Sequence, residues 1–91
     1  MKIIQTSTFA RQIKKLHANQ KKDLDGAIKE IAKDPAIGEP KKGDLATVRV
    51  YKFKMTKQLT LVAYEWHQDT LQLVILLALG SHENFYRDLK K

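Results

Sequence analysis

Cysteine is absent from this 91-residue chain. That excludes disulfides, thiolate metal centres and cysteine nucleophiles, and it suits a reducing compartment. Proline and glycine are scarce, at two and four residues. Both prolines and two of the glycines crowd into residues 35–45, which therefore read as the one substantial loop. No apolar run approaches the roughly 20 residues needed to cross a bilayer, and Met1 to Thr6 has no stretch resembling a signal peptide. A soluble, cytoplasmic protein without a membrane role is expected. Acidic residues are also outnumbered, with ten Asp and Glu against seventeen Lys and Arg, a net charge of +7. Such a balance favours a polyanionic partner: nucleic acid, an acidic protein segment or an anionic membrane surface.

The length predicts a single domain over residues 1–91, and 43% hydrophobic residues place it among globular chains rather than disordered ones. Lys2 to Thr6 reads as a short strand. Ser7 or Thr8 can cap a helix to about Ala18, on which Phe9, Ile13 and Leu16 form one apolar stripe. Asn19 suits a second cap. Leu24, Ala27, Ile28 and Ile31 then mark another amphipathic helix, closed before Pro35 because the residue preceding a proline is driven out of helical geometry. Three strand candidates follow, Thr47 to Met55, Leu59 to Trp66 and Thr70 to Leu79, the last apolar enough to be central. Their short connections predict an antiparallel meander. The fold class is α+β: an N-terminal strand, a two-helix hairpin on one face of a small, mainly antiparallel four-stranded sheet, and a short C-terminal helix capped by Ser81.

The period of two along a strand sorts Arg49, Tyr51, Phe53 and Met55 onto one face, and Val48, Val50, Lys52 and Lys54 onto the other. The aromatic set should meet the helices. Lys52 and Lys54 then project together from an open face, about 7 Å apart, where they suit a phosphate. Taken alone, they are better read as solvated charges on an ordinary exposed sheet face. His82 and Tyr86 stand four apart and share one side of the terminal helix. A histidine exchanges protons near neutral pH, and a tyrosine can stack on a base. A capping histidine beside a packed tyrosine would explain the same spacing. Three scattered histidines show no metal-ligand spacing, and there is no phosphate-binding glycine loop, so neither metal nor cofactor is expected. Together, the basic strand and the His–Tyr ending fit RNA cleavage by the 2′-hydroxyl, which requires a base, an acid and cations at phosphorus.

With these pieces in order, the chain resembles toxins of the RelE/ParE superfamily of bacterial type II toxin–antitoxin modules. The resemblance runs through the basic two-helix start, the Asp34-Pro35 break, Val48-Arg49-Val50-Tyr51-Lys52-Phe53-Lys54, and the ending from Leu77 through Gly80-Ser81-His82 to Tyr86. The Tyr-Lys-Phe-Lys strand is similar to the one bearing catalytic lysines in ribosome-dependent RelE-type mRNA endonucleases. The Gly-Ser-His ending is similar to the YafQ-like branch. The resemblance implies an mRNA endonuclease acting on the ribosome, with Lys52, Lys54, His82 and Tyr86 as catalytic residues. Arg49 or Arg87 would supply substrate-binding charge, because the next strand offers Thr60 where RelE-type enzymes carry arginine. It also implies an acidic antitoxin partner. The alternative it carries is a ParE-like, non-enzymatic inhibitor that binds DNA gyrase.

Overall fold

Thr6 starts the first helix and ties it to the last strand at once. In the computed structural model, which describes residues 2–41, 47–67 and 73–81, its Oγ1 accepts from the Phe9 N–H at 3.2 Å. The same hydroxyl lies 3.2 and 2.9 Å from the carbonyl oxygens of Leu76 and Leu77, to which it can donate. Thr6 is therefore the cap, one residue before Ser7, and α1 spans Ser7–Lys14. The helix α2, Ala18–Lys33, opens with the Gln20 side chain accepting from the His17 N–H at 2.8 Å. The break thus falls at His17 rather than Asn19. Asp34 closes α2, and its carboxylate accepts from Ala36 N–H at the head of a short 3₁₀ turn, Pro35–Ile37.

The sheet has five strands rather than four. They are β1 (Lys2–Gln5), β2 (Glu39–Pro40), β3 (Val48–Met55), β4 (Gln58–His67) and β5 (Leu73–Gly80), in the spatial order β1-β5-β4-β3-β2. The added strand, β2, is two residues long and ends in proline, which gave no strand pattern to read. The meander β3-β4-β5 is antiparallel, whereas β1 pairs parallel with β5. The apolar run is therefore flanked on both sides, as its composition predicts. A bulge between Ala63 and Tyr64 offsets β4 against β5 at Leu77 and keeps Tyr64, Leu76 and Val74 on the helix side.

Phe9, Leu24 and Ile31 from the helices meet Met55, Val62, Tyr64, Val74, Leu76 and Leu79 in the main core, with Tyr51 and Phe53 packed against it. The aromatic parity of β3 does face the helices. The opposite face is not open throughout: Val48, Val50, Leu61, Ala63 and Ala78 form a second buried cluster there. Toward the β3–β4 turn that face reaches solvent at the exposed Lys52, Lys54 and Leu59, as it does at Ile4 on the outer strand β1.

That turn is made by Thr56 and Lys57, both with positive φ, 49° and 71°. A β-branched residue seldom adopts this conformation, and such positions favour Asn-Gly. The turn is held from the helix layer, where Asp23 Oδ2 accepts from the Thr56 N–H at 2.8 Å. Replacing Thr56-Lys57 by Asn-Gly should raise stability by about 1 kcal/mol, read as a higher urea midpoint with an unchanged slope. An unaltered or lower midpoint would show that the turn carries no net strain.

Candidate functional site

Lys52 and Lys54 are adjacent same-face residues of β3, and neither has an ion-pair partner among the described residues. Lys52 stands opposite Leu61 and Lys54 opposite Leu59 on β4. Leu61 in turn pairs with Gly80 at the end of β5. The root of the Gly80-Ser81 exit is therefore two strand spacings, about 9.5 Å, from Lys52 across the sheet. Leu61, not Thr60, shares the lysine face; Thr60 pairs with Phe53 and is 6% exposed. Its hydroxyl lies 3.1 Å from the Gln58 carbonyl oxygen, to which it can donate.

Arg49 lies on the other face of β3. Its Nη1 donates to the carbonyls of Ala36 and Gly38, at 3.2 and 2.8 Å, and its Cζ sits 5.5 Å from the Trp66 ring centroid. The guanidinium is thus engaged in fastening the 35–38 segment to the sheet. Arg49→Lys should cost about 1–2 kcal/mol, because an ammonium cannot reproduce the forked donors or the flat stacking surface. A thermal melt of the variant checks this, and no loss of stability would contradict the clamp role. His82, Tyr86 and Arg87 lie outside the described residues.

The same 35–38 segment is bolted by Tyr64. This residue is fully buried, and its hydroxyl donates to Pro35 O at 2.6 Å and accepts from Gly38 N–H at 2.9 Å. Burial raises the Tyr64 phenol above its ordinary value, against smaller lowering by the Gly38 N–H and the Arg49 charge. Trp66 Nε1 is buried and has no hydrogen-bond partner among the described residues.

Sequence reasoning missed the residue that fixes the exit of β5. Gln12 of α1 donates from Nε2 to Leu79 O at 2.7 Å and accepts at Oε1 from Leu79 N–H at 2.8 Å. Its carboxamide pairs with β5 as a strand would, beyond the point where β1 stops. Nothing in the helical periodicity marks it, since it lies off the apolar stripe. Among the described residues, no three His, Asp or Glu side chains converge to hold a metal ion. His67 Nε2 and Glu65 Oε2, 3.0 Å apart, make a pair without a third ligand, near the opposite end of β4. No described helix is long and apolar enough to cross a membrane.

No curated protein matches the chain in sequence. Solved structures match its fold. The toxin in the intact E. coli RelBE toxin–antitoxin complex superposes with a TM-score of 0.70 at 17% identity, covering 90% of this chain and 96% of that one. An arginine double mutant of E. coli toxin RelE in the free state gives 0.72 at 16% identity, covering 98% and 94%. The same mutant with an antitoxin RelBc peptide gives 0.68 at 17%, covering 99% and 94%. The ParE-like toxin family of type II bacterial toxin–antitoxin systems matches residues 3–90. Sequence profile and fold agree over nearly the whole length, and the chain therefore belongs to this family, as a toxin of the RelE/ParE superfamily.

Proposed function

We propose that this toxin is a ribosome-dependent mRNA endonuclease that cleaves RNA through the 2′-hydroxyl without metal or cofactor. The observation that carries the reading is the pair of solvent-exposed lysines on β3, without an ion-pair partner among the described residues and two strands from the Gly80-Ser81 exit. In the reaction, a base takes the 2′-OH proton, the 2′-oxygen bonds to the adjacent phosphorus, and the bond to the 5′-oxygen breaks. An acid protonates that leaving oxygen, which yields a 2′,3′-cyclic phosphate and a 5′-hydroxyl. Lys52 and Lys54 hold the phosphate and stabilise the charge that develops on its oxygens. His82, the residue after Ser81, serves as acid or base. Tyr86 stacks on or orients a base, and Arg87 adds positive charge. The fold shared with RelE and the Tyr51-Lys52-Phe53-Lys54 strand support this branch of the superfamily.

A neutralising antitoxin is part of the same proposal, in keeping with the RelB-bound forms of RelE. Its acidic, partly disordered segment would fold against the basic surface in the cytoplasm. One observation favours a second reading, non-enzymatic inhibition of DNA gyrase: the residue facing Lys52 on β4 is leucine, not a cation. Mapping mRNA 5′ ends after brief induction separates the two. New 5′-hydroxyl ends within translated codons are expected. Intact messages together with a DNA-damage response and blocked supercoiling would replace cleavage by gyrase binding.

A further inference from the structure

Charge is spread unevenly along the chain. Residues 1–22 hold six Lys and Arg and no Asp or Glu, whereas the other 69 carry eleven against ten. Arg11 and Lys14 stand on the last turn of α1, Lys15 caps it, and Lys21 and Lys22 follow at the opening of α2. Five of the six cations therefore gather at the corner between the helices. All five are exposed, and none has an ion-pair partner among the described residues. Neither helix places an acid in its first turn. The first carboxylate in the chain, Asp23, accepts from the Thr56 N–H and is committed to the β3–β4 turn. A shallow depression along α1 is lined, among the described residues, by Thr8, Arg11, Lys14 and Lys15, with Gln12 held in place by Leu79.

We infer that this α1–α2 corner docks on the phosphate backbone of a nucleic-acid duplex, without reading its sequence. The inference stands apart from the cleavage reading, because the helices pack on one face of the sheet while Lys52 and Lys54 project from the other. Arg11, Lys14 and Lys15 span four residue steps, about 6 Å of helix axis. A duplex carries one phosphate charge per roughly 1.7 Å of its own axis, so several phosphates fall under such a cluster. Two features of this face decide between anionic partners. An acidic peptide that folds on binding needs apolar anchors beside the charge, as does a helix lying in a membrane surface. Among the described residues, the exposed large hydrophobic side chains are Ile4, Ile37 and Leu59, and none is on α1 or α2. The antitoxin segment is thereby directed to another part of the surface. Single-stranded RNA is gripped by bases stacking on exposed aromatic rings. Phe9 is the only Phe, Tyr or Trp in residues 1–22, and it is fully buried. Phosphate contact alone remains, and it suits the regular backbone of a duplex.

The test compares two charge-matched pairs at exposed helix positions four apart, Arg11→Gln with Lys15→Gln and Lys29→Gln with Lys33→Gln. Fluorescence anisotropy of the full chain is measured with a labelled RNA hairpin, a DNA hairpin of the same sequence, single-stranded RNA and a polyglutamate peptide. Salt is varied between about 50 and 200 mM, where loss of phosphate contacts shows in the slope. The Arg11 and Lys15 pair should weaken hairpin binding about 10-fold and lower the slope of log K against log salt by about 2. The Lys29 and Lys33 pair should leave both nearly unchanged. Glutamine is a good helix former, so folding should survive, and circular dichroism verifies it. Whichever hairpin loses more identifies the duplex, RNA or DNA, that the corner takes. Equal losses in the two pairs would reduce the effect to net charge and overturn the inference. Unchanged hairpin affinity in a folded Arg11→Gln/Lys15→Gln variant would do the same, as would a loss confined to single strands or to polyglutamate.

Discussion

Replacing Lys52 and Lys54 together by alanine should abolish growth arrest while leaving the fold intact. Both side chains are exposed and have no ion-pair partner among the described residues, so their removal costs little stability, within about 0.5 kcal/mol for surface positions. The loss of activity should be far larger. Cations aimed at a phosphoryl group act where charge develops, and removing a single such donor typically costs about 10²–10³ in rate. Two adjacent donors acting on one phosphate are not additive, so the double variant is expected to lose about 10³ or more rather than the product of the single losses. Cleavage is read from mapped 5′ ends, arrest from growth after induction, and folding from a thermal melt. Undiminished arrest by a folded double variant would remove these lysines from the mechanism.

The largest stability effect is expected at Gly38. A Cβ built there lies 2.5 Å from the Tyr64 hydroxyl and 2.9 Å from its Cε1 and Cζ, closer than side chains approach one another. The ring cannot yield cheaply, because it is fully buried and its hydroxyl already bridges Pro35 and Gly38. Gly38→Ala should therefore cost about 3 kcal/mol, combining overpacking with the loss of buried hydrogen bonds. That is a large share of the 5–15 kcal/mol typical of a domain. Tyr64→Phe should cost about 1–3 kcal/mol, since it strands the Gly38 N–H and the Pro35 carbonyl. The double variant should be less unstable than the sum, because phenylalanine removes the atom nearest the new methyl.

The pH dependence of this bolt has a definite sign. Burial raises the Tyr64 phenol in the folded chain. The folded state therefore holds its proton at pH values where the unfolded chain, titrating near 10, has released it. The stability contribution is complete below about pH 10 and is lost as pH rises from there through the folded-state value. Tyr64→Phe should flatten that alkaline loss in urea titrations. An equal alkaline decline in both proteins would show that Tyr64 does not govern it.

Much of the layout could be read from residue order because it arises from local periodicity. The stripes of Phe9 with Ile13 and of Leu24, Ala27 and Ile31 face the core as their helical spacing requires. The alternation along β3 puts Tyr51 and Phe53 toward the helices and Lys52 and Lys54 away from them. These properties belong to a helix or strand whatever surrounds it. Tertiary structure alone decided what joins residues far apart in the chain. It paired β1 parallel to β5, set Gln12 against Leu79, and buried Val48, Val50 and Leu61 on the face that alternation suggested was open. It also turned Arg49 from a candidate substrate cation into a clamp on Ala36, Gly38 and Trp66. Such contacts leave no repeating signal in sequence, because their partners are brought together only when the sheet closes. The scarcity of cysteine, proline and glycine bounded the kind of domain; sheet register determined which charges remain free for chemistry.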